Sequence, residues 1–330
     1  PNIEDRLIQQ AIKQILEPIC EAQFHKHSYG FRPNRNVEHA IAYLYKKINL
    51  DEYYYIVDID IKGFFDNVDH SKLLKQLWTI GIHDKKIISI IGAMLRAEIE
   101  GIGIPEKGVP QGGIISPLLA NVVLNELDWW LSDQWQTLET RYNYATNSIK
   151  SRALKKSSNL KEFYFVRYAD DFKIICKNNE IATKMFHATK QWLKERLNLE
   201  INEEKSKITN LKKSYTEYLG FRIKTKKKRQ GRVVKCKLTK RAKTVIYEAL
   251  KQQVKKIQHS TKTMEVYKLN RMIRGYHNYF EIATEVSNEF GIIHYKLQKC
   301  IFNRLKNILS DTGIKTTEYK NKYGKYKGKE

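Results

Sequence analysis

The stretch that most constrains this chain is FVRYADDF, residues 165 to 172, continued by KIIC. Val166, Arg167, Tyr168 and Ala169 lead into adjacent carboxylates at Asp170 and Asp171, and Phe172 opens FKIIC, an apolar and β-branched run that reads as a strand. Two apolar strands joined by an acidic corner put charge at a hairpin tip, where water and metal reach it. Paired aspartates need a third carboxylate nearby to hold two divalent ions roughly 3.5 to 4 Å apart, the spacing that activates an attacking oxygen and stabilises a leaving one. Asp60 is the candidate third ligand.

Asp60 belongs to YYYIVDIDIKGFFDNVDH, residues 53 to 70. Alternation there places Ile56, Asp58 and Asp60 on one side of a strand and Val57, Ile59 and Ile61 on the other. An aspartate on an apolar strand needs a hydrogen-bond or metal partner, because a buried unpaired carboxylate costs several kcal/mol or is protonated. Of Phe64 and Phe65, one is expected in the core; the other, if Phe65, stands where an aromatic can close over a sugar. Asp66 and Asp69 read as caps of a helix starting near Ser71.

A glycine-rich turn leads to GVPQGGIISPLLANVVLNELDWWL, residues 108 to 131. Pro110, Gln111, Gly112 and Gly113 expose backbone amides and one side-chain amide before a long apolar helix, with Ser116 read as N-cap and Pro117 as first-turn proline. Such an entrance can sit against a phosphate or a base pair. The Asp60 strand, this turn and the ADD hairpin are expected to converge on one cleft.

Elsewhere, residues 3 to 20 form an apolar stripe (Ile3, Leu7, Ile8, Ile12, Ile15, Leu16, Ile19) that needs a partner, with Pro18 tightening or ending the helix. In SYGFRPNRN the glycine and proline shape a connector, or Arg32 or Arg35 contacts phosphate; a helix capped by Asn36 follows. Residues 132 to 162 read as a polar insertion or loop, and 180 to 199 as a helix whose Met185 and Trp192 are core rather than a stacking platform. In LEINEEKSKI, Lys205 sits on a short turn that faces the cleft or plain solvent, with Lys207 as competitor. Gly220 in YTEYLGFRIK permits close backbone approach. The charge run KTKKKRQGR reads as a solvated face or linker at a boundary near 222 to 237, followed by helical patterns over 238 to 257, 263 to 280 and 291 to 308 and a Lys/Tyr tail from Asp311.

Charge separates these parts. Residues 1 to 220 carry 31 Lys and Arg against 28 Asp and Glu, whereas residues 221 to 330 carry 29 against 8. A near-neutral body joined to a strongly basic one implies an acidic polymer, nucleic acid by default. An anionic membrane surface is the weaker alternative, because no run of about 18 apolar residues and no lipidation signal is visible. Cys20, Cys176, Cys236 and Cys300 lack CxxC spacing, which argues against zinc and disulfides and fits a reducing cytoplasm. The nine histidines lack metal-ligand spacing, and His27, His39 and His277 read as structural or surface groups. No signal peptide is visible, and Pro1 opens on residues resembling a domain interior, as in a fragment.

DIDIKGFFDNVDH, GVPQGGIISPLLANVVLNELD, RYADDF, LEINEEKSKI and YLGF occur in the order and approximate spacing of reverse transcriptases. SYGFRPNRN and RMIRGYHNYF look most like the proteins encoded by group II introns. The resemblance implies an α+β right-hand polymerase: partial fingers over 1–50, a palm with associated fingers elements over 51–225, and an α-helical thumb, or maturase domain, with a basic tail over 226–330. It implies RNA-directed DNA synthesis with two Mg2+ ions on Asp60, Asp170 and Asp171, and Lys205 as proton donor to pyrophosphate. Phe65 would screen the sugar, Gln111 and Gly112 would lie beside the incoming deoxynucleoside triphosphate, and Tyr218, Leu219 and Gly220 would form the primer grip. Arg32, Arg35 and Arg274 would contact RNA, with intron RNA, an RNA template on a DNA primer, and target DNA as partners. Two rival readings stand beside it: a non-enzymatic RNA-binding splicing factor, and a reverse transcriptase of a defence or diversity-generating system. The amino-terminal part of the fingers, with basic residues for the triphosphate, is expected to be missing.

Overall fold

The computed structural model describes residues 2 to 306 except 100, 102, 230, 261 and 262. The tail from Asp311 therefore lies outside the described residues. In chain order the elements are α1 (Ile3–Gln23), α2 (Val37–Asn49), β1 (Tyr55–Ile59), α3 (Phe64–Asn67), α4 (His70–Ile80), α5 (Lys85–Leu95), α6 (Ser116–Asp133) and α7 (Asn147–Ser157). There follow β2 (Phe163–Tyr168), β3 (Asp171–Cys176), α8 (Asn179–Leu197), β4 (Lys207–Asn210), β5 (Thr216–Tyr218), β6 (Phe221–Lys228) and β7 (Gly231–Leu238). Three helices close the description: α9 (Lys240–Gln258), α10 (Thr263–Phe280) and α11 (Val286–Leu305).

A four-stranded antiparallel sheet of order β2-β3-β1-β4 organises the first unit. One face is sealed by α6, apolar on nearly every side and hence buried, together with α4 and α8. Val57, Ile59, Phe165, Phe172 and Ile174 of the strands meet Leu119, Val123 and Leu127 of α6 in one core. Contacts divide the chain into two units, Pro1–Cys236 and Lys237–Glu330. The second is helical, with α9 packed on both α10 and α11 through Ile246, Leu250, Val254, Leu269, Phe290, Ile293 and Leu297. Its buried Glu289 is neutralised by Lys243 at 2.5 Å, and His277 stacks on Phe290. Among the described residues no helix is long and apolar enough to cross a membrane.

Several local expectations are corrected. Of the two readings of the charge run after residue 222, the solvated face holds and the linker does not: Phe221, Ile223 and Thr225 of β6 are buried while Lys226, Lys227 and Lys228 stay exposed, so the lysines decorate a paired strand. The polar insertion contains α7, capped by Thr146. Helix α1 runs five residues past Pro18, because burial of Leu16 and Cys20 outweighs one lost hydrogen bond. Only Ile12, Leu16 and Cys20 of that helix are buried; Ile3, Leu7, Ile8, Ile15 and Ile19 are exposed. Ser116 is the first helical residue, with Ile115 at the N-cap, and its hydroxyl donates to the Pro110 carbonyl at 2.6 Å.

Candidate active site

The hairpin β2–β3 turns through Ala169 and Asp170, since Tyr168 pairs with Asp171. Ala169 has φ +57°, a left-handed conformation that costs an alanine roughly 1–2 kcal/mol. Neighbouring contacts impose it. Arg167, fully buried, donates to the Ala169 carbonyl at 2.8 Å, to Asn121 Oδ1 at 2.9 Å and in a bidentate pair to Asp128 at 2.6 to 3.0 Å. Burial pushes the Asp128 carboxyl up in pKa, and the Arg167 charge works against that rise. Asn121 and Asp128 both stand on α6, so the helix that carries the core also fixes the turn.

From the other side, the segment around Ser28 joins β2 as a short parallel bridge: Arg167 N donates to the His27 carbonyl at 3.0 Å and Tyr29 N to the Arg167 carbonyl at 2.9 Å. Gly30 then lies directly on the turn; a Cβ at this position would sit 2.2 Å from Ala169 N. SYGF is thus a strap over the acidic hairpin. Arg32 is corrected from an RNA contact to its anchor: it is 6% exposed and donates to Glu21 and to the carbonyls of His25 and Ser28. Arg35 is partly exposed and donates to the Lys26 carbonyl.

Register sets the carboxylates. β1 pairs with β3 through Asp58↔Lys173 and Ile59↔Phe172, which puts Asp60, one residue beyond, across from Asp171. Opposed residues of an antiparallel pair share a face, and so do residues two apart. Asp58, Asp60, Asp171 and Lys173 therefore line one face, and Asp170 stands on the adjoining turn. The two pairs differ. Asp58 is 6% exposed and bonded to Lys173 at 2.9 Å, with the Thr216 hydroxyl donating at 2.9 Å and Thr209 at 3.4 Å. Asp60 and Asp171 have side chains 46% and 40% exposed.

Those two carboxylates lean to lysines rather than to each other. Asp171 reaches Lys173 at 3.0 Å, and Asp60 lies 3.7 Å from Lys205. Among the described residues no three carboxylate, histidine or cysteine side chains are closed into a metal-holding group. Asp60, Asp170 and Asp171, expected to converge within reach of shared metals, stand as an open set at this end of the sheet, and like charges at such a site repel one another. The donor chemistry nevertheless suits a hard divalent cation: carboxylate oxygens at a solvent-facing sheet end. Partial burial raises the pKa of Asp171, Lys173 opposes that, and Asp58 and Asp170 add to it. Burial works against charge on Lys173, but Asp58 and Asp171 outweigh it and hold its pKa above the usual range.

Lys205 is brought in by straps across the sheet end: Lys62 N donates to the Glu200 carbonyl, Asn202 N to the Asp60 carbonyl and Asp60 N to Ser206 Oγ. Lys207 instead opens β4. Phe64 is core at 3% exposure and Phe65 is half-buried beside it, rings 5.3 Å apart. The glycine turn is sewn to this helix by Gly108 N to the Val68 carbonyl and Val109 N to the Phe65 carbonyl. Gln111 and Gly112 are exposed; Gln111 donates to Asp66 at 3.3 Å, and Gly112 has φ +85°, which suits glycine alone. Gln9 of α1 accepts from Ile114 N and steadies the loop.

Of the residues expected in the primer grip, Tyr218 is 1% exposed, with its ring 5.2 Å from Lys173 Nζ, while Leu219 and Gly220 are partly exposed. Arg274 is exposed on α10 of the second unit. Gly30, Asp128, Asn121, Lys173 and Thr216 carry the site's support and were not anticipated as site residues. The signal available for one of them was Asp58, an aspartate in an apolar strand that demands a partner.

The family model described as reverse transcriptase (RNA-dependent DNA polymerase) matches residues 1–223. Protein YkfC of Escherichia coli is 33% identical over 246 residues, 70% of this chain and 64% of that protein. The group II intron-encoded protein LtrA of Lactococcus lactis is 30% identical, with 94% of this chain and 63% of that protein covered. A putative COX1/OXI3 intron 1 protein of Saccharomyces cerevisiae is 29% identical over 74% of this chain and 32% of its own length. The chain thus spans less than two thirds of each of these relatives. An acidic β-hairpin strapped by SYGF, facing the Asp60 strand and matched through residue 223, makes this chain a member of the reverse transcriptase family, with group II intron-encoded proteins among its homologues.

Proposed function

We propose that the chain performs RNA-directed DNA synthesis for a group II intron, with two magnesium ions held by Asp60, Asp170 and Asp171, and that it also assists splicing of the intron RNA. The observation that carries this reading is the half-exposed placement of Asp60 across from Asp171, one residue beyond the end of the β1–β3 ladder, with Asp170 on the turn beside it. Magnesium bound there would lower the pKa of a primer 3'-hydroxyl and stabilise charge on the triphosphate and the departing pyrophosphate. Phe65 bounds the sugar of the deoxynucleoside triphosphate, Gln111 and Gly112 lie along it, Lys205 holds a proton for pyrophosphate, and Leu219 with Gly220 meets the primer. Residues 1–50 serve as partial fingers, 51–225 as palm and 226–330 as thumb. The basic surplus after residue 221, with Arg35 and Arg274, supports binding of intron RNA, template and target DNA by phosphate contacts. The setting is the nucleic-acid-associated cytoplasm.

The test is extension of a DNA primer on an RNA template in magnesium by the wild-type chain and by D170A/D171A. Extension confined to the wild type supports the reading. Tight RNA binding by both with extension by neither replaces it with an RNA-binding splicing factor, which the same basic surplus favours.

A further inference from the structure

Lys173 and its partner Asp58 are the groups of the acidic face that the proposed chemistry does not use. Its ammonium is fixed on three sides: Asp58 Oδ1 at 2.9 Å, Asp171 Oδ1 at 3.0 Å and the face of Tyr218 with its centroid at 5.2 Å. Asp58 cannot itself serve a metal, since it is buried and takes the Thr216 and Thr209 hydroxyls as well. Lys173 is likewise 6% exposed, so it has no route to snorkel into solvent. A cation has thus been built under Asp171, and a second carboxylate has been built in to cancel it.

Gluing β1 to β3 would not demand this arrangement, because apolar residues of like volume do so at no desolvation cost. What the pair supplies is a fixed charge and a fixed hydrogen bond at one oxygen of a metal-ligand candidate. We propose that Lys173, neutralised by Asp58, is a positioning residue for Asp171: it orients that carboxylate before a divalent cation arrives and sets how much negative charge the site offers. This rests on the two-metal reading of Asp60, Asp170 and Asp171. Asp58, Lys173 and Asp171 together carry one negative charge, so removing either inner member shifts the site by one unit, in opposite directions.

The experiment is Mn2+ titration of the nucleotide-free chain, followed by the electron paramagnetic resonance signal of the free ion, with thermal unfolding run on every variant. D58N is isosteric, keeps an acceptor for Lys173 and leaves the site one unit more positive; Mn2+ affinity is expected to fall about tenfold. K173M leaves the site one unit more negative and is expected to raise affinity by a similar factor, while the D58N/K173M double variant returns within about threefold of wild type. Unchanged affinity in D58N, or shifts of the same sign in D58N and K173M, would overturn the proposal; D58N alone decides if K173M does not fold. D170N separates the two levels. Mn2+ binding that survives D170N removes the two-metal reading and this inference with it, whereas binding lost in D170N but indifferent to D58N removes the inference alone.

Discussion

Asp58 and Asp60 are two residues apart on one strand and share one face, yet they have opposite surroundings. Asp58 is enclosed, ion-paired and bonded to two threonine hydroxyls; Asp60 is half exposed, with a single lysine at 3.7 Å. A buried charge survives only when paired and hydrogen-bonded, so Asp58 belongs to the structure. A half-exposed carboxylate facing another is tolerated by water and costs little to keep, which suits Asp60 and Asp171 to the proposed chemistry. The change falls where the β1–β3 ladder ends, at Ile59↔Phe172. The proposed chemistry sits one residue beyond the end of the β1–β3 ladder, and its support sits one pleat below.

The contrast breaks most severely at Arg167. R167M leaves Asp128 buried without its partner and frees the Ala169 turn, an expected loss of about 3–5 kcal/mol in denaturant unfolding. A loss below about 1 kcal/mol would show that the turn holds itself. G30A drives a methyl group into the Ala169 backbone and is expected to cost about 1–3 kcal/mol and to lower primer extension, because the strap must lift off the acidic corner.

Acid probes the same strap. Burial first, then the charges of Lys26, Arg167, Arg32 and Arg35, lowers His25 from 6.5 to about 4; burial likewise lowers His27, to about 2. Both are neutral in the fold, and the unfolded chain binds more protons below pH 6.5. Stability is therefore complete above pH 6.5 and falls as pH drops toward 4, with a limiting slope of about 1.4 kcal/mol per pH unit for each histidine. Unfolding midpoints against pH should show that slope in wild type and a shallower one in H25Q. The smallest effect concerns RNA: R274A should reduce the salt dependence of RNA affinity by about one phosphate contact, whereas R32A should leave that slope unchanged and act on stability.

Much of the site was legible because its chemistry requires residue types that stand out in an apolar strand. Asp170 and Asp171 at a hairpin, Asp60 at a strand end and one of Phe64 and Phe65 in the core all follow from alternation and turn logic, and the structure makes the core residue Phe64. The supports were not legible, because their partners are distant in sequence. Lys173 reads as one polar residue in FKIIC until β1 brings Asp58 opposite it, and Arg167 reads as a strand residue until α6 presents Asp128. Arg32 shows the converse: a basic residue beside glycine and proline suggests phosphate, but Glu21 and two carbonyls consume its donors. The β6–β7 hairpin was obscured by lysines on its exposed positions, which raise polarity without interrupting the pairing.

The most direct test of the central claim compares D58N with D60N by primer extension on an RNA template at saturating magnesium, each with its thermal unfolding midpoint. D60N is expected to melt like wild type and to lose at least about a thousandfold in rate. D58N is expected to melt at a lower temperature and to retain extension. Extension preserved in D60N, or abolished equally in a well-folded D58N, would contradict the division between a structural pair and a chemical one.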